Sequence, residues 1–217
     1  MTTTDFQRAR SPEAKQQRED AILEAARVLG AQHGIRRVTL TDIAEAVGMH
    51  KSALLRYFET REQIFLRLTA AGWRDWSLAV RAELAALSET SPAGVARALA
   101  ATLAARPMFC DLLAQAPLNL ERNVSLEAVR AFKLVTLDEV GAIGAALRSA
   151  LPRLTERDAV DIIAAATSLS GALWQMATPG PAVEALYRSD PRLAHAVVDV
   201  EPRVTRMLTG MIAGFLA

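Results

Sequence analysis

The side chains best suited to covalent or metal chemistry are scattered through this sequence. Cys110 is the only cysteine, and its apolar segment Pro107–Asp111 is more typical of a buried thiol than of a nucleophile. His33, His50 and His195 are far apart and lack the spacing of metal ligands. Phosphate-binding loops, dinucleotide fingerprints and nucleophile elbows are missing from the sequence. We therefore predict no enzyme activity, no metal site and no cofactor.

The segment Val38–Phe58 has the pattern of two short helices joined by a tight turn. Thr39 is placed to cap a first short helix, and Gly48 ends it because glycine adopts a left-handed turn at least cost. A second short helix begins near His50. This pattern predicts a helix-turn-helix, whose second helix fits the major groove. The inward-facing residues of the two helices are Leu40, Ile43, Ala44, Val47, Ala53, Leu54 and Phe58.

Composition and charge limit what surrounds this segment. Apolar residues make up 51% of the 217-residue chain, which is enough for a sizeable core. The net charge is only +1, so a DNA-binding face must come from the placement of charges. The first twenty residues lack an apolar signal-peptide core, and no apolar run is long enough to span a membrane. We expect a cytoplasmic protein that does not interact with membranes.

Hydrophobic periodicity predicts an all-α fold of about nine helices. The segment Thr178–Val200 contains three prolines, so we expect a loop with short helical pieces there. Three spacings fit capping boxes, namely Thr39 with Asp42, Thr60 with Gln63, and Thr155 with Asp158. The predicted helices are Pro12–His33, Leu40–Val47, Lys51–Phe58, one from Thr60 toward Leu87, Pro92–Ala105, Met108–Ala116, Ser125–Leu151, Glu156–Met176 and Pro202–Leu216.

Two short helices around a glycine also occur in ordinary packing, so the segment alone leaves DNA binding open. In its wider context, the first 65 residues closely resemble the TetR family of bacterial regulators. The residues that match in order and spacing are Ala31, Gln32, His33, Gly34, Val38, Thr39, Leu40, Asp42, Ile43, Ala44, Val47, Gly48, Leu54, Tyr57, Phe58, Arg61, Glu62, Gln63 and Ile64. The resemblance implies a three-helix DNA-binding domain over residues 1–65. It also implies an all-α ligand-binding and dimerisation domain over residues 66–217, with the boundary inside the long fourth helix.

The resemblance also implies roles for individual residues at the DNA. Thr39, Tyr57 and Arg61 match positions that usually contact phosphates, which fix register without reading sequence. Lys51 or Arg56 is expected to pair with guanine. The residues expected to face the groove are Thr41, His50, Lys51, Ser52 and Arg56.

Two positions depart from the family pattern, and the N-terminal arm is open to two interpretations. His50 replaces the usual serine or threonine cap, and Leu55 replaces a tyrosine that contacts the DNA backbone. Arg8, Arg10 and Lys15 either reach the DNA backbone or minor groove, or form a solvated tail.

The second half of the chain is predicted to bind a small apolar inducer. Over 106–217 it is similar to one actinobacterial-type C-terminal branch of the family. The residues that carry this similarity are Arg106, Pro107, Leu118, Asn119, Leu120, Glu121, Arg122, Asn123, Phe132, Lys133, Leu173 and Trp174. The predicted ligand contacts are Trp73, Trp76, Arg106, Met108, Phe109, Leu112, Asn119, Phe132, Trp174, Gln175 and Met176. Alternatively, the aromatic residues among them fill the core.

A homodimer is predicted from small and apolar residues on the last two predicted helices, which would form a four-helix interface. Alternatively, these faces pack only within one chain. The predicted interface residues are Ala164, Ser168, Gly171, Val204, Leu208, Met211 and Phe215.

Together, these patterns predict a homodimeric repressor that binds a near-palindromic operator and is released by a small apolar ligand. Two alternatives stay open. One is a DNA-binding protein of the same fold that answers to a protein partner or acts without an inducer. The other, less favoured, is a ligand-binding enzyme.

Overall fold

The computed structural model describes residues 12–196 and 198–217, and every regular element in these ranges is helical. The all-α prediction is therefore confirmed. The α-helices of this part of the chain are α1 Pro12–His33, α2 Leu40–Ala46, α3 Lys51–Leu54, α4 Arg61–Ala86, α5 Pro92–Ala104, α6 Pro107–Gln115, α7 Leu126–Ala150, α8 Glu156–Ala177, α9 Pro181–Ser189 and α10 Val200–Phe215. Shorter elements are the 3-10 turn Ile35–Arg37, the π-helical segment Ala116–Leu120 and the 3-10 segment Pro191–Ala196.

Most helix boundaries follow from local capping chemistry. Thr39 and Thr155 each form a reciprocal capping box, with Asp42 and Asp158 respectively. The Thr60 hydroxyl accepts a hydrogen bond from the Gln63 amide, as predicted for α4. The Gln63 side chain, however, accepts from the amide of Glu59, one residue before the cap.

Two boundaries differ from the sequence prediction. The helix predicted over Lys51–Phe58 ends at Leu54, because the amides of Arg56 and Tyr57 donate to carbonyls three residues back. The proline-containing segment after α8 is more helical than predicted, since Pro181 occupies the first turn of α9.

The helices form two packed regions that share α4. The first region comprises α1, α2, α3 and the start of α4, and it closes around Ile22, Ile43, Leu54 and Phe58, which are almost fully buried. The remaining 20 or so residues of α4 extend about 30 Å into the second region, where α4 packs on α5, α6 and α7. There α8 packs on α6, α7 and α10, while α10 covers α5. None of the helices in the described residues is long and apolar enough to cross a membrane.

Candidate nucleic-acid interface and interdomain cleft

The helix-turn-helix is built as the sequence predicts. Gly48 has φ 64°, the left-handed conformation that a residue with a side chain rarely adopts. Next to it, the Met49 amide donates to the carbonyl of Ala44 at 2.8 Å and closes the turn. His50 is the N-cap of α3, but its side chain makes no capping hydrogen bond, so the imidazole is not committed to the helix.

The predicted groove residues are all exposed. We call the side chains of Thr41, His50, Lys51, Ser52 and Arg56 the α3 face. Among the described residues, neither Lys51 nor Arg56 has an ion-pair partner. Their donors are therefore available to an anionic or acceptor-rich surface such as a DNA groove.

The residues predicted to contact phosphates differ in how accessible they are. Thr39 is exposed, although its hydroxyl also caps α2, and Tyr57 is half-buried. Leu55 is 45% exposed and has no polar group with which to contact the DNA backbone. Lys15 forms a 3.8 Å ion pair with Glu19, whereas Arg8 and Arg10 lie outside the described residues.

The guanidinium of Arg61 makes contacts inside the chain. It donates to the carbonyls of Ile35 and Val38, at the two ends of the 3-10 turn before α2. It also forms a 3.0 Å ion pair with Glu62 and lies 4.8 Å from the ring centroid of Phe65. Arg61 therefore ties α4 to the start of the helix-turn-helix, and its contact with a phosphate stays a prediction.

Three of the predicted ligand contacts form a packed aromatic cluster instead of a cavity wall. Trp73 lies edge-on to Trp76 and Phe109, with centroid distances of 5.5 and 5.8 Å. All three are at least 94% buried, and the indole Nε1 of Trp76 donates to Thr102 Oγ1 at 3.0 Å. A Cβ added to Gly72 would come within 2.3 Å of the Phe109 ring. This cluster fills the core, so the alternative interpretation holds for its members.

The other predicted ligand contacts are divided between core and surface. Leu112 and Phe132 are buried, while Met176 is 53% exposed. Arg106 donates to Asp75 and to the Thr102 carbonyl, so its guanidinium is already paired. None of these four residues lines the cleft between the helix-turn-helix region and the second region.

An open cleft of about 730 Å³ lies between the helix-turn-helix region and the second region. Met108, Trp174 and Gln175 line it, as three of the predicted ligand contacts. The opposite wall comes from the end of α1 and the 3-10 turn Ile35–Arg37. Asn119 lies instead on a smaller cavity of about 230 Å³, where its amide donates to Gln115.

The predicted dimer residues also separate into two groups. Gly171, Val204 and Leu208 are buried within the chain, and a Cβ on Gly171 would lie 3.1 Å from the backbone nitrogen of Ala114. These three face the chain's own core and are removed from the predicted interface. The residues that remain accessible are Ala164, Ser168, Met211 and Phe215.

Family models match most of the chain. Residues 70–217 match the model described as "Tetracyclin repressor-like, C-terminal domain". Residues 22–68 match the model described as "Bacterial regulatory proteins, tetR family". The chain belongs to the TetR family. It therefore has the fold of a DNA-binding transcriptional regulator, as predicted.

Solved structures of other regulators share this fold. A possible TetR-family regulator from Streptomyces coelicolor A3(2) superimposes with a TM-score of 0.60 at 19% identity, covering 91% of this chain and 98% of the other. A putative regulator from Rhodococcus sp. gives 0.55 at 20% identity, covering 93% and 100%. The fatty acid degradation regulator FadR from Bacillus halodurans gives 0.54 at 16% identity, covering 88% and 97%. No curated protein matches the chain.

Several cleft residues of this TetR-family chain were missed by sequence reasoning. His33, Arg36 and Arg37 lie on its rim, and Asp111 lies on the α6 side. Asp111 had a usable signal, since it is the only charged residue of α6 and follows four residues that are all apolar. Its neighbour Cys110 is fully buried, and burial raises the pKa of the thiol to about 12, as expected of a structural cysteine.

Proposed function

We propose that this TetR-family protein is a homodimeric repressor that binds a near-palindromic operator and is released by a small ligand in the interdomain cleft. The observation that carries the DNA-binding part is the α3 face, where Lys51 and Arg56 are exposed and have no ion-pair partner among the described residues. Such a protein acts in the cytoplasm, where bacterial DNA is accessible to it.

The DNA-binding part is tested by selecting bound duplexes from random DNA with the purified full-length protein. We expect a near-palindromic site, since a two-fold dimer places two recognition helices one helical turn apart, about 34–36 Å, or a multiple of that. Arg148→Ala is a matched control, because it removes an exposed cation about 33 Å along α7 from the end that contacts the DNA-binding region. Selection of no sequence, or of a site without a dyad, would contradict the proposal.

The dimer is supported by exposed or half-buried residues that recur every four positions on α8 and α10. These two helices pack against each other, and five of the six residues are apolar. We call these residues the α8–α10 face. Its members are Val160, Ala164, Ser168, Met207, Met211 and Phe215.

The ligand part is supported by the shape and lining of the cleft. A volume of about 730 Å³ suits a small molecule, and Met108 and Trp174 provide apolar walls. We test it with 8-anilinonaphthalene-1-sulfonate as a probe, following tryptophan emission and operator binding in one titration. We expect quenching that is reduced in Trp174→Phe and is accompanied by weaker DNA binding. Quenching without a change in DNA affinity would contradict release by a cleft ligand.

One observation favours the alternative of a protein partner without a small inducer. The aromatic cluster of Trp73, Trp76 and Phe109 occupies the interior of the second region, where an enclosed ligand cavity would otherwise lie. The interdomain cleft, in contrast, is open to solvent. Under this alternative, the probe binds neither the wild type nor Trp174→Phe, while selection still returns an operator. The two experiments together therefore separate the two modes of regulation.

A further inference from the structure

The backbone of Ile35 is held from both sides of the interdomain boundary. Its carbonyl accepts a hydrogen bond from Arg61 on α4, and its amide donates to Asp111 Oδ2 on α6 at 3.1 Å. The Ile35 side chain is 99% buried. Ile35 begins the 3-10 turn that leads through Val38 to Thr39, the N-cap of α2, so its position sets where the helix-turn-helix begins.

Asp111 is itself oriented by the second region. Its other oxygen, Oδ1, accepts a hydrogen bond from Gln175 Nε2 on α8 at 2.7 Å. A carboxylate can only accept hydrogen bonds. The two oxygens of Asp111 accept one each from Gln175 and Ile35, which are 64 and 76 residues away in sequence. Both Asp111 and Gln175 line the cleft, as does Ile35.

We propose that Asp111 is a positioning residue for DNA binding, which transmits the arrangement of α6 and α8 around the cleft to the Ile35 turn and hence to α2. The inference rests on the proposed DNA-binding function. Hydrogen bonds to a charged acceptor are stronger than neutral ones, so this contact holds the turn more firmly than a neutral bond would. A molecule in the cleft that shifts α6 or α8, or that takes over the carboxylate, releases the turn.

The test is amide hydrogen exchange at Ile35 in the full-length protein. The amide of Gly34 is the internal reference, since it donates to the carbonyl of Gly30 and not to Asp111. Asp111→Leu removes both hydrogen bonds at similar volume, and we expect the ratio of Ile35 to Gly34 exchange to rise about tenfold or more. Operator affinity falls as well, with the same order of preferred sequences, because the α3 face is untouched.

Two variants separate positioning from general stability. Asp111→Asn keeps one oxygen for the Ile35 amide, and a flipped Gln175 can accept from its new NH₂, so we expect it to restore most of the protection. Asp75→Leu makes the same change at an exposed carboxylate that pairs with Arg106, away from the DNA-binding region, and leaves the ratio unchanged.

An unchanged ratio in folded Asp111→Leu, or an equal rise in Asp75→Leu, overturns the proposal. If Asp111→Leu does not fold, Gln175→Leu removes one support of the carboxylate, and the proposal requires a smaller but selective rise in the same ratio. The exchange measurement needs no DNA. If the protein selects no operator but Asp111→Leu still raises the exchange ratio selectively, the proposed function is contradicted. The role of Asp111 in holding the Ile35 turn is then still supported.

Discussion

Two arginines five residues apart in the helix-turn-helix region illustrate what residue type alone leaves undecided. Arg56 is exposed and unpaired within the described residues, whereas Arg61 is bonded to two backbone carbonyls. The sequence correctly placed Arg56 near α3 and Arg61 at the start of α4, because the helix signals near them are local. It could not show that Arg61 finds its acceptors at positions 26 and 23 residues earlier, since these contacts exist only in the folded chain.

At the α3 face, Lys51→Ala and Arg56→Ala are expected to weaken operator binding. A residue that pairs with a base contributes about 1–3 kcal/mol and some sequence preference, so its removal also relaxes specificity at one position. The measurement is affinity for the selected operator and for single-base variants of it. Wild-type affinity and specificity in both variants would show that the α3 face does not enter the groove.

Replacing Arg61 by alanine is expected to act first on stability. Two buried backbone carbonyls lose their donor, which costs about 1–3 kcal/mol, or several degrees in Tm for a chain of this size. Arg148→Ala, at an exposed position, is the control and should leave Tm within about a degree. If Arg61→Ala keeps the wild-type Tm but flattens the salt dependence of DNA binding, the original phosphate-contact prediction is right after all.

At the scale of elements, the start of a helix was predicted correctly wherever the N-cap side chain accepts a hydrogen bond from that helix. The capping boxes at Thr39 and Thr155 need only residues three apart, so they are visible in the sequence. The end of α3 was not predicted, because it depends on a switch to backbone hydrogen bonds three residues back. Short helical pieces were expected after α8, but the bounds of α9 were not, because there a proline starts a helix instead of breaking one.

The capping box of α8 predicts an acid-dependent contribution to stability. Hydrogen bonds from the hydroxyl and amide of Thr155 lower the pKa of Asp158. A carboxyl whose pKa is lower in the folded state stabilises the fold above its unfolded pKa, near 3.8, and this contribution disappears as pH falls through the folded pKa. We expect Thr155→Ala to lower the free energy of unfolding by about 1 kcal/mol at pH 7 and by less near pH 3. Urea unfolding at both pH values measures this, and an equal loss at both would contradict it.

The close approach of α6 and α8 at Gly171 gives a prediction with an internal control. A Cβ there would lie 3.1 Å from the Ala114 nitrogen and 3.3 Å from the Cys110 carbonyl oxygen, both backbone atoms that cannot move alone. We expect Gly171→Ala to be destabilising by about 1–3 kcal/mol. Gly141→Ala, at an exposed position on α7, meets nothing within 4 Å and should stabilise by up to about 1 kcal/mol. Similar thermal shifts in the two variants would disprove the close packing.

At the scale of the whole molecule, periodicity identified apolar helix faces but not their partners. Val204 and Leu208 on α10 were expected at a second chain, yet they pack inside the first, where α10 covers α5. Trp73 and Trp76 were expected at a ligand, yet they fill the core. In both cases the residue types suit either role, and only the arrangement of distant helices determines which surface they meet.

The exposed remainder of α10 gives the prediction for assembly. Phe215 and Met207 lie on the α8–α10 face, are 36% and 41% exposed, and are the large apolar side chains that a partner would cover. We expect Phe215→Arg to shift the protein from dimer to monomer in sedimentation at micromolar concentration, since an arginine from each chain would be buried without a partner. Leu78→Arg is the matched control, because Leu78 is 64% exposed but lies on α4.

The same pair of variants connects assembly to DNA binding. A monomer keeps the α3 face but loses the second half-site, so Phe215→Arg should bind the full operator no better than a single half-site. Leu78→Arg should keep wild-type affinity and the preference for two half-sites in register. A Phe215→Arg protein that stays dimeric places the interface elsewhere. If Leu78→Arg is the variant that dissociates, the two-fold axis passes beside α4, and the spacing of the recognition helices is set by that helix.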